Sequence, residues 1–147
     1  MAEGLLRQLS QWSGLPLEVR SAGINALVGE PATPQAVKVL AEMDINISDH
    51  SAQQVNRDLL SWADLVLTMT REQMLWILSG WPEMEGKVFT LAEFVGKNGD
   101  VEDPYGASSI AYRYVRDKIV SLLLDLVDIL KKEPSFSGDR KNDPHNS

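Results

Sequence analysis

The segment at residues 103–106, which reads Asp-Pro-Tyr-Gly, is the part of the sequence best suited to acid–base chemistry. A proline favours an extended backbone in the residue before it, so the carboxyl group of Asp103 can be presented at the tip of a loop. Asp100 and Glu102 add negative charge nearby, which favours the protonated, proton-donating form of a neighbouring carboxyl group. The same residue types also form ordinary turns, and composition alone favours a structural turn over a general acid.

Other kinds of chemistry find little support in the sequence. The 147 residues contain no cysteine, which excludes disulfides, thiolate metal sites and a cysteine nucleophile from the chain as written. His50 and His145 lie far apart in polar stretches, so we expect neither to be catalytic or a metal ligand. No G-x-G-x-x-G or G-x-x-x-x-G-K-[ST] motif is present, which excludes nucleotide binding by those loops. The sequence predicts no metal and no cofactor.

The charge and hydropathy of the chain argue against several classes of partner. Twenty-one acidic against fourteen basic residues give a net charge of -7, which repels nucleic acids and anionic membrane surfaces. No apolar run reaches the roughly 18 residues that cross a bilayer. Glu3 and Arg7 interrupt the start of the chain, where a signal peptide needs an apolar stretch. We therefore expect a cytoplasmic protein that binds neither nucleic acid nor membranes.

The elements that must position Asp103 alternate between helix and strand. Apolar residues at helical spacing predict the helices, and short apolar or alternating runs predict the strands. In the first helix this spacing places Glu3 and Arg7 on the side that faces water. Thr33 before Pro34 is typical of a helix start, and Thr70 with Gln73 forms a capping-box pattern. The predicted helices are residues 2–12, 34–44, 70–78 and 110–132, and the predicted strands are 17–20, 65–69 and 87–91.

This order predicts an α/β domain with a parallel sheet over residues 1–132, followed by a tail at 133–147. The tail is rich in Pro, Ser, Asp and Asn, so we expect it to be disordered. Such domains normally open on a strand, whereas this chain opens on a helix and shows only three strand candidates. The pattern therefore indicates that a strand is missing from the front of the sheet.

Five segments, taken in order, resemble the low-molecular-weight protein-tyrosine-phosphatase family. They begin with Met-Ala-Glu-Gly-Leu-Leu-Arg and Ser-Ala-Gly, and the full set is residues 1–7, 21–23, 30–37, 63–70 and 100–106. The likeness runs from residue 1 to about 132. The bacterial branch that includes protein-arginine phosphatases is the most similar, since it too has one aromatic residue and a glycine after Asp-Pro.

The resemblance implies a three-layer α/β/α fold with a parallel sheet of strand order 2-1-3-4. In that family the first, central strand leads into a phosphate loop of Cys, five residues, Arg, Ser and Pro, and the helix that begins Met-Ala-Glu follows. Because this chain opens at that helix, we expect it to lack the central strand, the nucleophilic cysteine and the phosphate-binding arginine. Without that strand we also expect a weakened core.

The resemblance also assigns roles to residues that are present. Asp103 matches the general acid that protonates the leaving group, and Tyr105 matches the aromatic wall beside the pocket. Leu27 and Val28 fall in the loop that borders the pocket. The implied reaction is hydrolysis of phosphotyrosine or phosphoarginine on a protein through a cysteinyl-phosphate. An acid without a nucleophile has no bond cleavage to assist, so we expect the chain as written to be inactive.

Two accounts of the missing segment remain open, and we favour the first. The full polypeptide begins upstream of Met1 and carries the phosphate loop, or the chain is a non-catalytic interaction domain derived from a degraded phosphatase. Codons just upstream of Met1 separate the two accounts. Arsenate reduction on the same fold is excluded, because it needs further cysteines downstream of the loop. Phosphotyrosine and phosphoarginine both remain open as substrates, as do the protein partner and the oligomeric state.

Overall fold

The structure is a computed structural model that describes residues 1–133 and, for the backbone, 144–146. Six α-helices and four short strands, together with a 3-10 turn at Pro82–Met84, make up these residues. In chain order they are α1 (Ala2–Ser13), β1 (Arg20–Ser21), α2 (Pro34–Ala41), α3 (Arg57–Trp62), β2 (Leu65–Thr68), α4 (Arg71–Gly80), β3 (Val88–Thr90), α5 (Leu91–Phe94), α6 (Ser109–Lys132) and β4 (Pro144–Asn146).

The four strands form one parallel sheet in the order β1-β4-β2-β3. The α/β class and the parallel sheet agree with the sequence prediction, and no strand precedes α1 in the residues that the structure describes. Pro144–Asn146 lies at the centre, between β1 and β2. Buried backbone donors and acceptors must find partners, and β1 and β2 do so through this segment.

Within the segment 133–147, which the sequence predicts to be disordered, the backbone of residues 144–146 pairs as a strand. At the other end, Glu133 terminates α6, with its N–H donating to the carbonyl oxygen of Leu130 at 3.3 Å. Residues 134–143 and 147 lie outside the described residues. The sequence pattern missed the strand because Pro, His and Asn have low strand propensity, and only the pairing across the sheet orders them.

The predicted helix starts are confirmed by their caps. The Thr33 hydroxyl accepts from the N–H of Ala36 at 3.3 Å, with Pro34 at the first helical position. Thr70 and Gln73 form the reciprocal capping box at the start of α4. Both helices thus begin where side-chain acceptors satisfy amides that have no partner within the helix.

The first strand is displaced from its predicted place at residues 17–20. Val19 is buried and Glu18 is exposed, as the alternation predicts, but the ladder with β4 includes only Arg20 and Ser21. Residues that alternate between buried and exposed do not form a strand unless their backbone also pairs with a neighbouring strand. The segment before Arg20 is joined to α1 instead, through the hydrogen bond from Arg7 Nη2 to the carbonyl oxygen of Val19.

The sheet is covered by helices on both faces, as its second strand illustrates. Leu65 and Leu67 of β2 join the core that contains residues of α1, α2 and α6. Val66 points to the opposite side and joins the core with α3 and α4. This alternation of a strand buried on both faces confirms the three-layer α/β/α arrangement. Within residues 1–133 and 144–146, no helix combines the length and apolar character needed to cross a bilayer.

Candidate active site

A cleft of about 950 Å³ opens beside the ends of β1 and β2. Ligands of parallel α/β sheets bind at the carboxyl ends of the strands, where the following loops converge. Here the converging parts are the first turn of α1, the segments that follow β1 and β2, and the acidic loop of residues 100–106. Its lining includes Met1, Glu3, Arg7, Arg20, Ser21, His50, Thr70, Glu102, Asp103 and Pro104.

Asp103 lies in the lining of this cleft and is exposed to solvent. Its Oδ1 accepts a hydrogen bond from the N–H of Tyr105 at 3.0 Å, and the N–H of Ala107 donates to the carbonyl oxygen of Pro104 at 2.8 Å. Gly106 follows at a φ of 80°, a conformation that side-chain-bearing residues rarely adopt. The segment therefore forms a turn and also lines the cleft, because the turn presents the carboxylate of Asp103 there.

The acidic loop is fixed at its start by three hydrogen bonds. The N–H of Val101 donates to the carbonyl oxygen of Met69 at 2.9 Å, just after β2. Asp100 Oδ1 accepts from the N–H of Arg71 at 3.0 Å, and Lys118 Nζ donates to the carbonyl oxygen of Asp100 at 2.7 Å. The Asp100 carboxylate thus accepts a hydrogen bond from the first turn of α4, where a negative charge interacts favourably with the helix dipole.

Glu3 is the polar centre of the opposite wall. Its carboxylate accepts from Arg7 Nη2 at 2.6 Å and from the hydroxyl of Ser21, and His50 Nδ1 lies 3.9 Å from its Oε1. Burial would raise the pKa of Glu3, but the hydrogen bonds from Ser21 and Arg7 outweigh burial and lower it below 4.5. The carboxylate therefore stays ionised in the cleft.

This cluster is not predicted by the sequence pattern, because helical spacing places Glu3 and Arg7 on the solvent-facing side of α1. In the structure the Glu3 side chain is only 18% exposed, and Arg7 Nη2 also donates to the carbonyl oxygen of Val19 at 2.7 Å. The spacing of four residues between the two charges was the only signal available. Ser21 and His50 join them through the fold, from 18 and 47 positions along the chain.

The beginning of α1 faces the cleft. Met1, Ala2 and Glu3 line it, and no side chain caps this helix start. Burial lowers the pKa of the Met1 amino group, while Glu3 and Asp103 act in the opposite direction. Both carboxylates therefore influence one point of the cleft, and the uncapped helix start turns the positive end of its dipole toward that point.

Arg20 adds a second guanidinium to the lining. Its carbon Cζ lies 3.8 Å from the centre of the Trp62 ring, at the end of α3. A guanidinium stacked on an aromatic face keeps its outward N–H groups available for an anion while its position is restricted.

The other residues predicted for the site lie outside the lining. Leu27, Val28 and Tyr105 are 73%, 75% and 77% exposed. The loop that carries Leu27 and Val28 is held by Gln54, whose Oε1 accepts from the N–H of Ala26 at 2.9 Å. Gln54 Nε2 donates to the carbonyl oxygen of Ile24, also at 2.9 Å. The structure thus brings Asp103 to the cleft and leaves the three apolar side chains free at the surface.

Among the side chains that the structure describes, no group of three or more His, Asp or Glu is arranged to hold a metal ion. The cleft therefore offers guanidinium groups, backbone amides and carboxylates. This set can bind an anion and exchange protons with it.

The sequence pattern described as low molecular weight phosphotyrosine protein phosphatase matches residues 1–135. The protein-arginine-phosphatase of Bacillus subtilis (strain 168) is 41% identical over 134 residues, which cover 90% of this chain and 89% of the relative. A probable low molecular weight protein-tyrosine-phosphatase, EpsP, of Ralstonia solanacearum is 43% identical over 113 residues, which cover 76% of this chain and 73% of the relative.

Solved structures are similar over the same length. A crystal structure of a YwlE mutant from Bacillus subtilis has a TM-score of 0.86 at 41% identity, over 89% of this chain and 88% of that one. A low molecular weight protein tyrosine phosphatase from T. tengcongensis has a TM-score of 0.84 at 40% identity, over 87% of this chain and 88% of that one. The helices and sheet described above are thus those of a known enzyme fold.

Proposed function

The chain belongs to the low molecular weight phosphotyrosine protein phosphatase family, and from that premise we propose that its cleft receives a phosphorylated protein side chain, with Asp103 as general acid. Phosphotyrosine and phosphoarginine are the two candidate substrates, because relatives named for each are similar to this chain. We also propose a cytoplasmic location, which is supported by the net charge of -7.

The observation that carries the proposal is the position of Asp103. Its carboxylate lines a cleft at the carboxyl ends of parallel strands, and the uncapped start of α1 lines the same cleft. A phosphoryl group bound at a helix start is stabilised by backbone amides and the helix dipole. A substrate held there places its bridging oxygen or nitrogen toward the rim, where Asp103 is exposed.

In the proposed reaction a nucleophile forms a bond to phosphorus while the phosphorus–oxygen bond of phosphotyrosine, or the phosphorus–nitrogen bond of phosphoarginine, breaks. Asp103 gives its proton to the departing oxygen or nitrogen, so tyrosine departs as the neutral phenol and arginine as the guanidinium ion. Arg7 and Arg20, both in the lining, supply positive charge toward the phosphoryl oxygens. Tyr105, Leu27 and Val28 are exposed beside the cleft, and we assign them to the non-phosphorylated part of the substrate.

The nucleophile of the family reaction is a thiolate, and the 147 residues contain no cysteine. We therefore propose that the chain as written does not hydrolyse phosphate esters by itself. Asp103 then supplies only the proton. The nucleophile and the phosphate-binding arginine must come from a phosphate loop of Cys, five residues, Arg, Ser and Pro.

The experiment compares two proteins on para-nitrophenyl phosphate. One is the 147-residue chain, and the other carries an added N-terminal apolar strand followed by that phosphate loop. We expect no turnover above background from the first and measurable turnover from the second. The matched control is the longer protein with serine in place of the added cysteine, which removes only the thiol. Turnover by the 147-residue chain, or a folded longer protein that is inert, would contradict the proposal.

The lack of cysteine also supports a second candidate, a non-catalytic domain that retains the exterior of a phosphatase. Codons directly upstream of Met1 distinguish the candidates. An open frame that encodes an apolar strand and the phosphate loop supports the enzyme, whereas a stop codon there supports the non-catalytic domain.

A further inference from the structure

The connection between α5 and the acidic loop contains an asparagine followed by a glycine, Asn98–Gly99, and this pair occurs once in the sequence. Both residues are exposed, and Gly99 has a φ of 94°. Neither the side chain of Asn98 nor the N–H of Gly99 makes a hydrogen bond to another residue that the structure describes. The side-chain amide and the backbone nitrogen that follows it are thus both accessible to a reaction with each other.

An asparagine in this setting loses its side-chain amide without an enzyme. The backbone nitrogen of Gly99 gives up its proton and forms a bond to Cγ of Asn98, while the side-chain nitrogen takes up a proton and leaves as ammonia. The product is a five-membered succinimide ring. Water then opens the ring at either carbonyl group and leaves aspartate or isoaspartate, in which the backbone runs through Cβ and Cγ. Glycine favours the first step, because no side chain shields its nitrogen.

Other asparagines in residues 1–133 lack this combination of features. The Oδ1 atom of Asn56 accepts a hydrogen bond at the start of α3, and that of Asn46 accepts from the N–H of Ser48 at 2.9 Å. The N–H that follows Asn25 donates to Oε1 of Gln54 at 2.9 Å. In each case a reacting group is held by a hydrogen bond, so these three asparagines are internal references for Asn98.

The pair lies in a short span between two fixed points of the chain. Before it, the N–H of Lys97 donates to the carbonyl oxygen of Ala92 at 2.8 Å. After it, the carbonyl oxygen of Asp100 accepts from Lys118 Nζ at 2.7 Å. Only the two residues of the pair separate these points. Isoaspartate adds a carbon atom to the backbone of this span, so the contacts at its ends must change to accommodate the longer chain.

We propose that Asn98–Gly99 is a site of spontaneous deamidation, and that the isoaspartate product weakens the hold of Lys118 on the acidic loop. Because ammonia is lost, the change is irreversible without a repair reaction. It alters the support of the loop that presents Asp103 to the cleft. The inference concerns the covalent structure and anchoring of this loop, and it holds whether or not the cleft acts on phosphorylated proteins.

The site is tested by ageing the folded 147-residue chain at pH 8 and digesting it with trypsin. Mass spectrometry then follows the peptide of residues 98–113, in which Asn98 is the only asparagine. We expect this peptide to exchange an NH2 for an OH, at a rate within about threefold of that of the free peptide Lys-Asn-Gly-Asp-Val, because the reaction needs no local unfolding. Asn25, Asn46 and Asn56 should keep their amides.

The matched control is Asn98→Gln, which retains an amide one carbon further from the backbone and should not react. If Asn98 keeps its amide in the folded chain, the proposed site is overturned. Loss of the amides of Asn25, Asn46 and Asn56 at the same rate would equally overturn the argument that exposure and missing hydrogen bonds select Asn98.

The effect on the loop is measured by hydrogen exchange on the isoaspartate form, separated from the aged chain by chromatography. Amides of residues 100–106 should exchange about tenfold faster than in the fresh chain, as expected when a hydrogen bond from a charged donor is lost. Fresh Asn98→Asp adds the charge without the extra carbon and should exchange like the unchanged chain. Unchanged exchange in the isoaspartate form, or equally fast exchange in Asn98→Asp, would overturn the role of backbone lengthening.

Discussion

Lys118 Nζ donates a hydrogen bond to the backbone carbonyl oxygen of Asp100 at 2.7 Å, and so ties the acidic loop to the middle of α6. The contact lies three residues before Asp103, on the side of the loop away from its tip. A long helix packed into the core is a rigid support, whereas a loop that follows Gly99 and ends at Gly106, both at positive φ, is not. The position of the proposed acid therefore depends on a lysine outside the cleft lining.

Replacing Lys118 with alanine should loosen the acidic loop without unfolding the domain. A hydrogen bond from a charged donor contributes on the order of 1.5 to 3 kcal/mol, so amides of the loop should exchange with solvent about tenfold faster or more. Hydrogen exchange followed by mass spectrometry at residues 100–106 measures the change. Lys131→Ala, at an exposed position near the end of the same helix, is the control. Equal exchange in the two variants would contradict the anchoring role.

Asp103→Asn tests the proposed general acid in the longer protein that carries the phosphate loop. Loss of a positioned acid lowers turnover by about 10² to 10⁴, because the leaving group must depart without a proton. Steady-state kinetics on an aryl phosphate should show that fall, with inhibition by inorganic phosphate little changed. Asp58→Asn, an exposed aspartate in the first turn of α3, should retain full turnover. If Asp103→Asn keeps the original rate, the residue is a turn former only.

The sequence predicted the elements and the turn at Asp103 wherever the determining contacts are local. The helix starts at Thr33 and Thr70 were predictable because each cap is made within three residues of the capping side chain. The turn that presents Asp103 is equally local, since its carboxylate binds the N–H of Tyr105. Local chemistry of this kind is readable from residue order alone.

What the sequence did not predict depends on contacts between distant positions. The ionised state of Glu3 rests partly on Ser21, which the fold brings from the next strand. The strand β4 is defined by its pairing with β1 and β2, which lie far from it along the chain, whereas its own residue types argue against a strand. The first strand begins at Arg20 rather than at residue 17, because pairing and not alternation defines its limits.

The pKa of Glu3 predicts how stability changes with pH. Because the folded protein holds this pKa below 4.5, the ionised carboxylate stabilises the fold fully above pH 4.5, and that contribution disappears as the pH falls through the lower folded value. Glu3→Gln should therefore be less stable than the unchanged chain at pH 7, and the difference should narrow below pH 4.5. Urea unfolding at pH 7 and at pH 3 measures both differences.

The control for Glu3 is Glu85→Gln, an exposed glutamate in the turn before β3. Its stability should follow that of the unchanged chain at both pH values. A Glu3→Gln difference that stays constant from pH 7 to pH 3 would mean that the side chain acts through packing rather than through its charge.

Gly4 allows α1 to approach the segment at residues 45–47, and replacing it tests how tightly the wall of the cleft is packed. A Cβ at this position would lie 2.6 Å from Ile47 Cγ2, and Ile47 is itself buried. Overpacking of this kind costs about 1 to 3 kcal/mol, which exceeds the gain of up to about 1 kcal/mol from alanine in a helix. Gly4→Ala should therefore lower the free energy of unfolding, as measured in urea.

The matched control is Gly80→Ala, at the last residue of α4, where an added Cβ meets no atom within 4 Å. With open space and no steric cost, this variant should be as stable as the unchanged chain or slightly more so, because alanine restricts the unfolded chain. If the free energy of unfolding falls in Gly4→Ala and does not fall in Gly80→Ala, the loss in Gly4→Ala is due to the close contact with Ile47. Since Glu3 precedes Gly4 in the same helical turn, the Gly4 variant should also shift the environment of the cleft wall, visible as changed amide signals of Ser21 and His50 in an NMR spectrum.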